Sequence, residues 1–226
     1  MNIPQHIAFI MDGNSTWAKA HGVPLMDGYL KGMRTMADVI VSAQEMGGRY
    51  GTFYAFSMEN WNRPQKWVSE FMALALRFFK NDPSVRKVID AGARLKVIGD
   101  KDRLSQEIRN ILDKYEAETK ENTGITVQLA ISYGSRDEIV RAVKKMQTNG
   151  VDPSIENLSA SLDTAGTPDP DLIIRTSGKQ RLSNFLLWQA SYSELYFSDV
   201  LWPDFDRAEL ERAIGDFSNR ERTFGK

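Results

Sequence analysis

The sequence predicts an α/β protein, a single domain over residues 1–226 built on a mostly parallel six-stranded sheet with helices on both faces. Three observations predict it. Short runs rich in β-branched and aromatic residues alternate with longer segments of helical period, the pattern of strand-helix units with right-handed crossovers. The composition, 42% hydrophobic and 26% charged over 226 residues, is that of an ordinary globular chain with one core. Polar clusters follow several strand candidates at their carboxyl ends, where parallel sheets gather ligands.

The elements follow in order. Ile7 to Met11 is apolar without a break, as a strand covered on both faces must be, and Asp12-Gly13-Asn14-Ser15 stops it before a short helix near Ser15 to His21. Helical period next runs from Leu30 to Met46, and a second strand from Thr52 to Phe56. Polar residues Ser57 to Arg63 crowd the end of that strand, and Pro64 is placed to open a helix from Gln65 to Lys80. From Val68 to Phe79 this helix is apolar at nine of twelve positions, broader than the stripe a surface helix needs. Either it is plain core, or one face packs on the sheet while another lines an apolar tunnel; the fold predicted here includes the tunnel. Strands Leu95 to Ile98 and Thr126 to Ile131 alternate with helices Leu104 to Glu121 and Ser135 to Gln147. Thr148 to Pro170, with three prolines, is the least ordered stretch but marks no domain boundary. The last strands are Leu172 to Arg175 and Glu194 to Phe197, and Arg207 to Asn219 closes the chain as a helix.

Composition removes several function classes. Lys and Arg total 29 against 30 Asp and Glu, a net charge of −1, so no polybasic nucleic-acid surface is expected. Cysteine is absent, which removes disulfides, thiolate zinc sites and cysteine nucleophiles; two histidines, His6 and His21, nearly exclude an all-histidine metal site. No basic leader and no window of about 18 apolar residues occurs, so a cytoplasmic protein is expected. G-x-S-x-G, H-E-x-x-H, G-x-G-x-x-G and D-D-x-x-D motifs are all missing.

What chemistry remains is local. Asp12-Gly13-Asn14-Ser15, between a strand and a helix, is an anion seat if the backbone N–H groups face a crevice, or a plain N-cap if Asn14 or Ser15 only caps the helix. A carboxylate beside a phosphate cradle is repulsive unless a divalent cation lies between, which favours Asp12 as a ligand for magnesium on a diphosphate. Arg175-Thr-Ser-Gly-Lys-Gln-Arg181-Leu-Ser183-Asn184 sets two guanidiniums six positions apart, with hydroxyls and a glycine between, as a second diphosphate clamp would. Glu194 opens a strand where an apolar residue is usual; it is either an ion-pair partner of an arginine or, with Asp12, an oxygen ligand to a hard cation. Ser57, Asn60 and Arg63 are placed to orient a leaving group.

His6-Ile-Ala-Phe-Ile-Met-Asp12-Gly-Asn14, Phe56-Ser57-Met-Glu59-Asn60-Trp61-Asn-Arg63-Pro64 and Asp171 through Gln189 together resemble the cis-prenyltransferases. The tail, Glu194-Leu-Tyr-Phe through Asp204 and Asn219 through Gly225, resembles them too, so the likeness spans essentially the whole chain. The resemblance implies a parallel-sheet homodimer that joins isopentenyl diphosphate to an allylic diphosphate such as farnesyl diphosphate, making a cis-polyprenyl diphosphate of the undecaprenyl, cell-wall lipid carrier type. It implies Mg2+ as cofactor and transient contact with a membrane surface at product release. By the same resemblance Asp12 would hold magnesium and act in catalysis with Asn60, and Glu194 would join the metal site from the partner subunit or a neighbouring loop. Gly13, Asn14, Ser15, Thr16 and Trp17 would bind the allylic diphosphate, Arg175, Arg181 and Ser183 isopentenyl diphosphate, and Ser57, Asn60, Trp61 and Arg63 would surround the reacting carbons and the departing diphosphate.

The chain also departs from the family pattern. Ser15 and Thr16 stand where a glycine and an arginine precede Trp17, Leu25 stands for a second arginine, and Tyr29 replaces a histidine within Gly28-Tyr-Leu-Lys-Gly32. Gln65, Lys66 and Trp67 follow the Asn-Trp-x-Arg-Pro motif where a glutamate is common. Two readings are therefore carried forward. One is an active enzyme with an atypical allylic-phosphate seat; the other is an accessory, non-catalytic subunit that binds isopentenyl diphosphate or a partner synthase. On the first, Asp12→Ala is expected to abolish turnover with little loss of folding.

Overall fold

In the computed structural model, which describes residues 2–221, six strands form one all-parallel sheet: β1 (His6–Ile10), β2 (Tyr50–Ser57), β3 (Arg94–Ile98), β4 (Thr126–Tyr133), β5 (Leu172–Arg175) and β6 (Glu194–Phe197). All six predicted strands are present. The part of the tail motif at residues 222–226 lies outside the described residues.

Strand order is β3-β4-β2-β1-β5-β6. From β1 the chain crosses to β2 on one side, and β5 pairs on the other, so the order reverses between β1 and β5. That reversal opens a crevice at the carboxyl ends of these two strands. In register Ile10 lies beside Arg175, which places Asp12, two residues further on, directly over the crevice.

Helices cover both faces because the strands are apolar on both. Ile7 and Phe9 belong to one core, with Phe53, Leu129 and Ile174; Ala8 and Ile10 belong to a second, with Ile98, Ala130, Tyr133, Ile173 and Phe185. The larger core is roofed by α2 (Leu25–Glu45), α3 (Gln65–Asn81), α5 (Gln106–Glu118) and α8 (Arg207–Ser218), while α1 (Asn14–Ala20) packs on α2 and α6 (Ser135–Thr148) on α7 (Ile155–Ser161).

Three elements differ from expectation. Helix α2 starts at Leu25 rather than Leu30, and its first two turns contain Gly28 and Gly32, which weaken a sequence-based helix assignment. Their use is close approach: a Cβ on Gly32 would stand 2.0 Å from the Asn14 side-chain oxygen, and one on Gly28 2.4 Å from the Asn14 carbonyl. A short helix α4 (Pro83–Asp90) was not expected, although Asp82 caps it by accepting from the Ser84 N–H at 3.0 Å and Pro83 opens it. Helix α7 interrupts the proline-rich stretch, capped by Ser154, which accepts from Asn157 N–H at 3.1 Å.

Candidate active site

The site is a cavity of about 720 Å³ at the carboxyl edge of the sheet, polar at its mouth and apolar in its depth. Its mouth is formed by the residues after β1, β2, β4 and β5, and its depth by Met33, Met36, Phe71, Met72, Phe78 and Ile108 between α2, α3, α5 and the sheet. A second, small apolar cavity adjoins it, sharing Met36, Phe78, Phe79 and Leu129 as walls and closed by Val85, Val88 and Ile89 of α4.

Asp12 and Arg175 meet at the centre. The Arg175 guanidinium donates to Asp12 Oδ2 from Nε at 2.9 Å and from Nη2 at 2.6 Å, and to Ser183 Oγ and the Arg181 carbonyl from Nη1. The arginine side chain is 4% exposed and the aspartate 39%. Arg175 is thus a buried hub that holds Asp12 and the Arg181–Ser183 turn together, a tighter role than that of a free clamp. Both bonds fall on Oδ2, so Oδ1 of Asp12 is left to a ligand.

Arg181, Arg136 and Arg63 line the mouth and are exposed, with no ion pair among the described residues. Against them stand Asp12, already matched by Arg175, and Glu59, which accepts from Asn184 Nδ2 at 2.9 Å. The mouth therefore carries an excess of positive charge suited to polyanions.

The turn that presents Arg181 is strained. Ser183, Asn184 and Leu186 have φ of 49°, 64° and 47°, left-handed values that non-glycine residues rarely adopt. Asn184 is held there by three bonds: its carbonyl accepts from Ser135 N–H at 2.8 Å, its Oδ1 from Arg136 N–H at 3.0 Å, and its Nδ2 donates to Glu59. One residue thus bolts together the loops after β5, β4 and β2.

Of the residues singled out from sequence, Asp12, Gly13, Asn14, Ser15, Thr16, Ser57, Asn60, Arg63, Arg175, Arg181 and Ser183 all line this one cavity. Neither Asn14 nor Ser15 caps α1; the cap is Gly13 at φ 118°, with no side-chain bond. Asn14 instead turns inward, donating to the Met11 carbonyl at 3.0 Å, and its Oδ1 is buried without a hydrogen-bond partner among the described residues. Ser57 and Asn60 cap each other across a 3-10 turn, the Ser57 N–H donating to Asn60 Oδ1 at 3.0 Å.

Three residues are placed elsewhere. Trp17 does not line the cavity: its indole donates to Asp204 at 2.7 Å and stacks on His21, supporting α1 from behind. Trp61 lies beneath the mouth, donating to Ser132 Oγ at 2.9 Å and packing edge-on against Phe56. Glu194 opens β6 level with Leu172, at the amino end of the sheet, and accepts from Arg220 at 2.9 Å. Five strand steps separate that level from Asp12, roughly 16 Å at strand rise. Within one chain Glu194 and Asp12 therefore cannot share a cation, and the ion-pair alternative is the one realised.

The sequence reading missed Arg136, Tyr29 and Tyr54 as cavity residues. Arg136 was reachable, since Gly134-Ser135-Arg136 follows β4 just as the other polar clusters follow their strands. Tyr54 carried no signal inside its strand; burial, with Glu59 nearby, pushes its phenol well above the usual range, so it stays protonated.

Among the described residues no group of three carboxylate, histidine or cysteine side chains could hold a metal. A lone carboxylate with a free oxygen fits magnesium that arrives with a diphosphate, because that ion keeps water and phosphate oxygens and takes only one or two protein carboxylates. No helix of the described residues is long and apolar enough to cross a membrane.

Residues 10–225 match the family model described as "Putative undecaprenyl diphosphate synthase". An isoprenyl transferase of Rhizobium meliloti is 46% identical, over 99% of this chain and 93% of its own length. One of Aquifex aeolicus is 42% identical, over 100% and 97%. Two solved structures are also similar. The lavandulyl diphosphate synthase of Lavandula x intermedia, in complex with dimethylallyl diphosphate, superposes with a TM-score of 0.93 at 33% identity over 99% of both chains. A structure described as a "probable undecaprenyl diphosphate synthase" from Campylobacter jejuni gives 0.85 at 38% identity over 100% of both.

Proposed function

Given that the chain belongs to the undecaprenyl diphosphate synthase family and is a prenyl transferase, we propose that it condenses isopentenyl diphosphate with an allylic diphosphate such as farnesyl diphosphate, forming a cis double bond at each addition. The observation that carries this reading is the meeting of Asp12 and Arg175, at 2.6 Å, over a cavity that is cationic at the mouth and apolar below. Two diphosphates need the first property and a growing hydrocarbon tail the second. That a similar chain holds dimethylallyl diphosphate, itself an allylic diphosphate, supports the same reading.

In this scheme Arg181 and Ser183 grip isopentenyl diphosphate, with Arg175 behind them fixing the turn and Asp12 together. Gly13, Asn14, Ser15, Thr16 and Arg63 surround the allylic diphosphate. Its carbon–oxygen bond ionises, the isopentenyl double bond attacks the freed carbon, and a proton leaves the new unit. Magnesium held with the diphosphate at Asp12 would offset charge on the departing group. The cation set that one chain supplies does not include Glu194. Asn60, locked by Ser57, and the aromatic wall of Trp67 and Phe71 exclude water from the reacting carbons.

The protein acts as a homodimer in the cytoplasm and touches a membrane surface when it releases product. Exposed Val140 and Val143, one turn apart on α6, support the dimer, for apolar side chains in register on a helix face favour a partner. Radiolabelled isopentenyl diphosphate, Mg2+ and either farnesyl or dimethylallyl diphosphate test the reaction. Label is expected in an organic-extractable polyprenyl product; its absence with every allylic donor, while isopentenyl diphosphate still binds, would overturn the proposal.

A further inference from the structure

Tyr29 sits where the sequence offers a departure from pattern rather than a binding group, yet it lines the cavity and its hydroxyl bonds two other residues that line it. It lies 3.1 Å from the Ser15 hydroxyl of α1 and accepts from an Arg63 N–H at 3.3 Å. Having accepted from Arg63, the phenol can donate its own proton to Ser15. Its ring is fixed by edge-on contact with Trp67 and Phe71, at centroid separations of 5.6 and 5.4 Å. Three separate segments, α1, α2 and the loop after β2, are tied by this single hydroxyl.

Arg63 is the group so held. Its guanidinium carbon lies 4.2 Å from the centre of the Trp67 ring, and it has no carboxylate partner among the described residues. An exposed arginine is ordinarily spread over many rotamers, and ordering it on ligand arrival weakens binding. With an indole below and a phenol beside, that ordering is made in advance. The charge remains unmatched and faces the cavity, which is the state an incoming anion requires.

The side of the mouth on which this happens identifies the ligand. Trp67, Phe71, Met72 and Phe78 follow one another along α3 as walls of the cavity, whereas Arg181 and Ser183 belong to the turn after β5 that Arg175 holds. A diphosphate with a long tail must have its head where the depth begins. Resting on the proposed prenyl transfer, we propose that Tyr29 is a positioning residue that pins Arg63 over Trp67 as the cationic part of the allylic donor's diphosphate seat. Tyr29 and Arg63 thereby do the work that basic side chains at positions 16, 25 and 29 would otherwise do.

The test uses full-length protein and the thiolo analogue of farnesyl diphosphate, which binds without ionising, with quenching of tryptophan fluorescence as readout. Tyr29→Phe keeps the ring packing and loses the acceptor, so the dissociation constant for the analogue is expected to rise about 5- to 10-fold, and the KM for the allylic substrate with it, the loss of one charge-assisted hydrogen bond. The KM for isopentenyl diphosphate, kcat at saturating donor and the melting temperature should change little. If Tyr29 acts through Arg63, the same substitution made on Arg63→Gln should add less than twofold. Unchanged analogue binding in Tyr29→Phe, or a full additional loss on the Arg63→Gln background, would overturn the role of Tyr29 while leaving prenyl transfer standing. Failure of the wild-type protein to bind the analogue at all would overturn both.

Discussion

Both ends of the sheet carry polar side chains and treat them in opposite ways. At the amino end they satisfy one another. The buried His6 donates from Nδ1 to the Pro168 carbonyl at 2.7 Å and meets Thr52 Oγ1 at 2.8 Å; Thr52 meets the Gln128 amide at 2.9 Å, and Gln128 reaches Thr167. Glu194 and Arg220 pair at the same end. At the carboxyl end, Arg63, Arg136 and Arg181 have no anionic partner among the described residues, and three left-handed residues are held in a turn by Asn184. Closed networks hold strands in register; open charges wait for ligands. Polar residue type alone does not separate the two cases, and Glu194 is the example: the same carboxylate that suggests a cation site in sequence belongs to the closed end.

The strongest way to break this contrast is at Asp12, a carboxylate shared between the open site and a buried arginine. Asp12→Asn keeps an acceptor for Arg175 and removes the charge, and kcat/KM is expected to fall roughly 10³-fold, the size of losing several kcal/mol of charge stabilisation. Urea unfolding should shift little. Asp12→Ala is a less clean test than the sequence alone suggests. It strips a partner from a guanidinium that is 4% exposed, so a stability loss of about 1–2 kcal/mol is expected, less than for a fully buried pair because Asp12 is itself 39% exposed. Wild-type activity in Asp12→Asn would place the chemistry elsewhere.

At the closed end the expected effect is on stability and on pH. Burial lowers the His6 pKa to about 4 from an ordinary 6.5. The native state holds this ring neutral, so between those values the unfolded chain binds the extra proton. The contribution is fully present above pH 6.5 and is lost progressively as pH falls toward 4, by about 3 kcal/mol in all. Denaturant unfolding at pH 7.5 and pH 4.5 should show the loss, and His6→Gln should remove that part of the slope. An identical pH slope in the variant would mean that His6 is not the titrating group. Activity measured at pH 7.5 gives the contrast its other half: conservative changes at His6 should leave the KM of both substrates unaltered.

Arg181 gives the reverse pattern. It is exposed and has no ion pair among the described residues, so Arg181→Ala should leave the melting temperature within a degree or two while the KM for isopentenyl diphosphate rises about 10- to 100-fold, the range of one lost charge-assisted contact. A melting temperature that falls with little change in KM would assign Arg181 to the closed, structural class instead.

The sheet was legible because its signal is local: each strand is an apolar run, and each strand's polar sequel lies next to it in the chain. Eleven of the singled-out residues line one cavity for that reason. Signals that depend on distant partners were not legible. Asp12 and Arg175 are 163 residues apart, and nothing in either segment announces that each will occupy the other. Trp17 and Trp61 sit inside motifs whose neighbours face the cavity, but their indoles point to Asp204 and Ser132, partners supplied by a 3-10 turn and a strand remote in the chain. The start of α2 was hidden by Gly28, whose low helix propensity is outweighed by the contact with Asn14 that a side chain would forbid.

The smallest expected effect sharpens the contrast most finely, because it asks whether the open end is incomplete or already furnished. Thr16 is exposed at the mouth, and no hydrogen bond from the described residues holds its side chain. If the seat lacked a cation, Thr16→Arg would lower the KM for the allylic diphosphate by the full value of a charged contact, on the order of 10-fold or more. Arg63 already lines the same cavity, stacked on Trp67 and bonded to Tyr29. A second guanidinium there must share one diphosphate and repel the first, so the gain should stay below about fivefold. The gain should grow when Thr16→Arg is combined with Arg63→Gln, since the new arginine then has the anion to itself. Steady-state KM values for the two single variants and the double variant read this directly; a large gain in Thr16→Arg alone would show that Arg63 does not serve the donor.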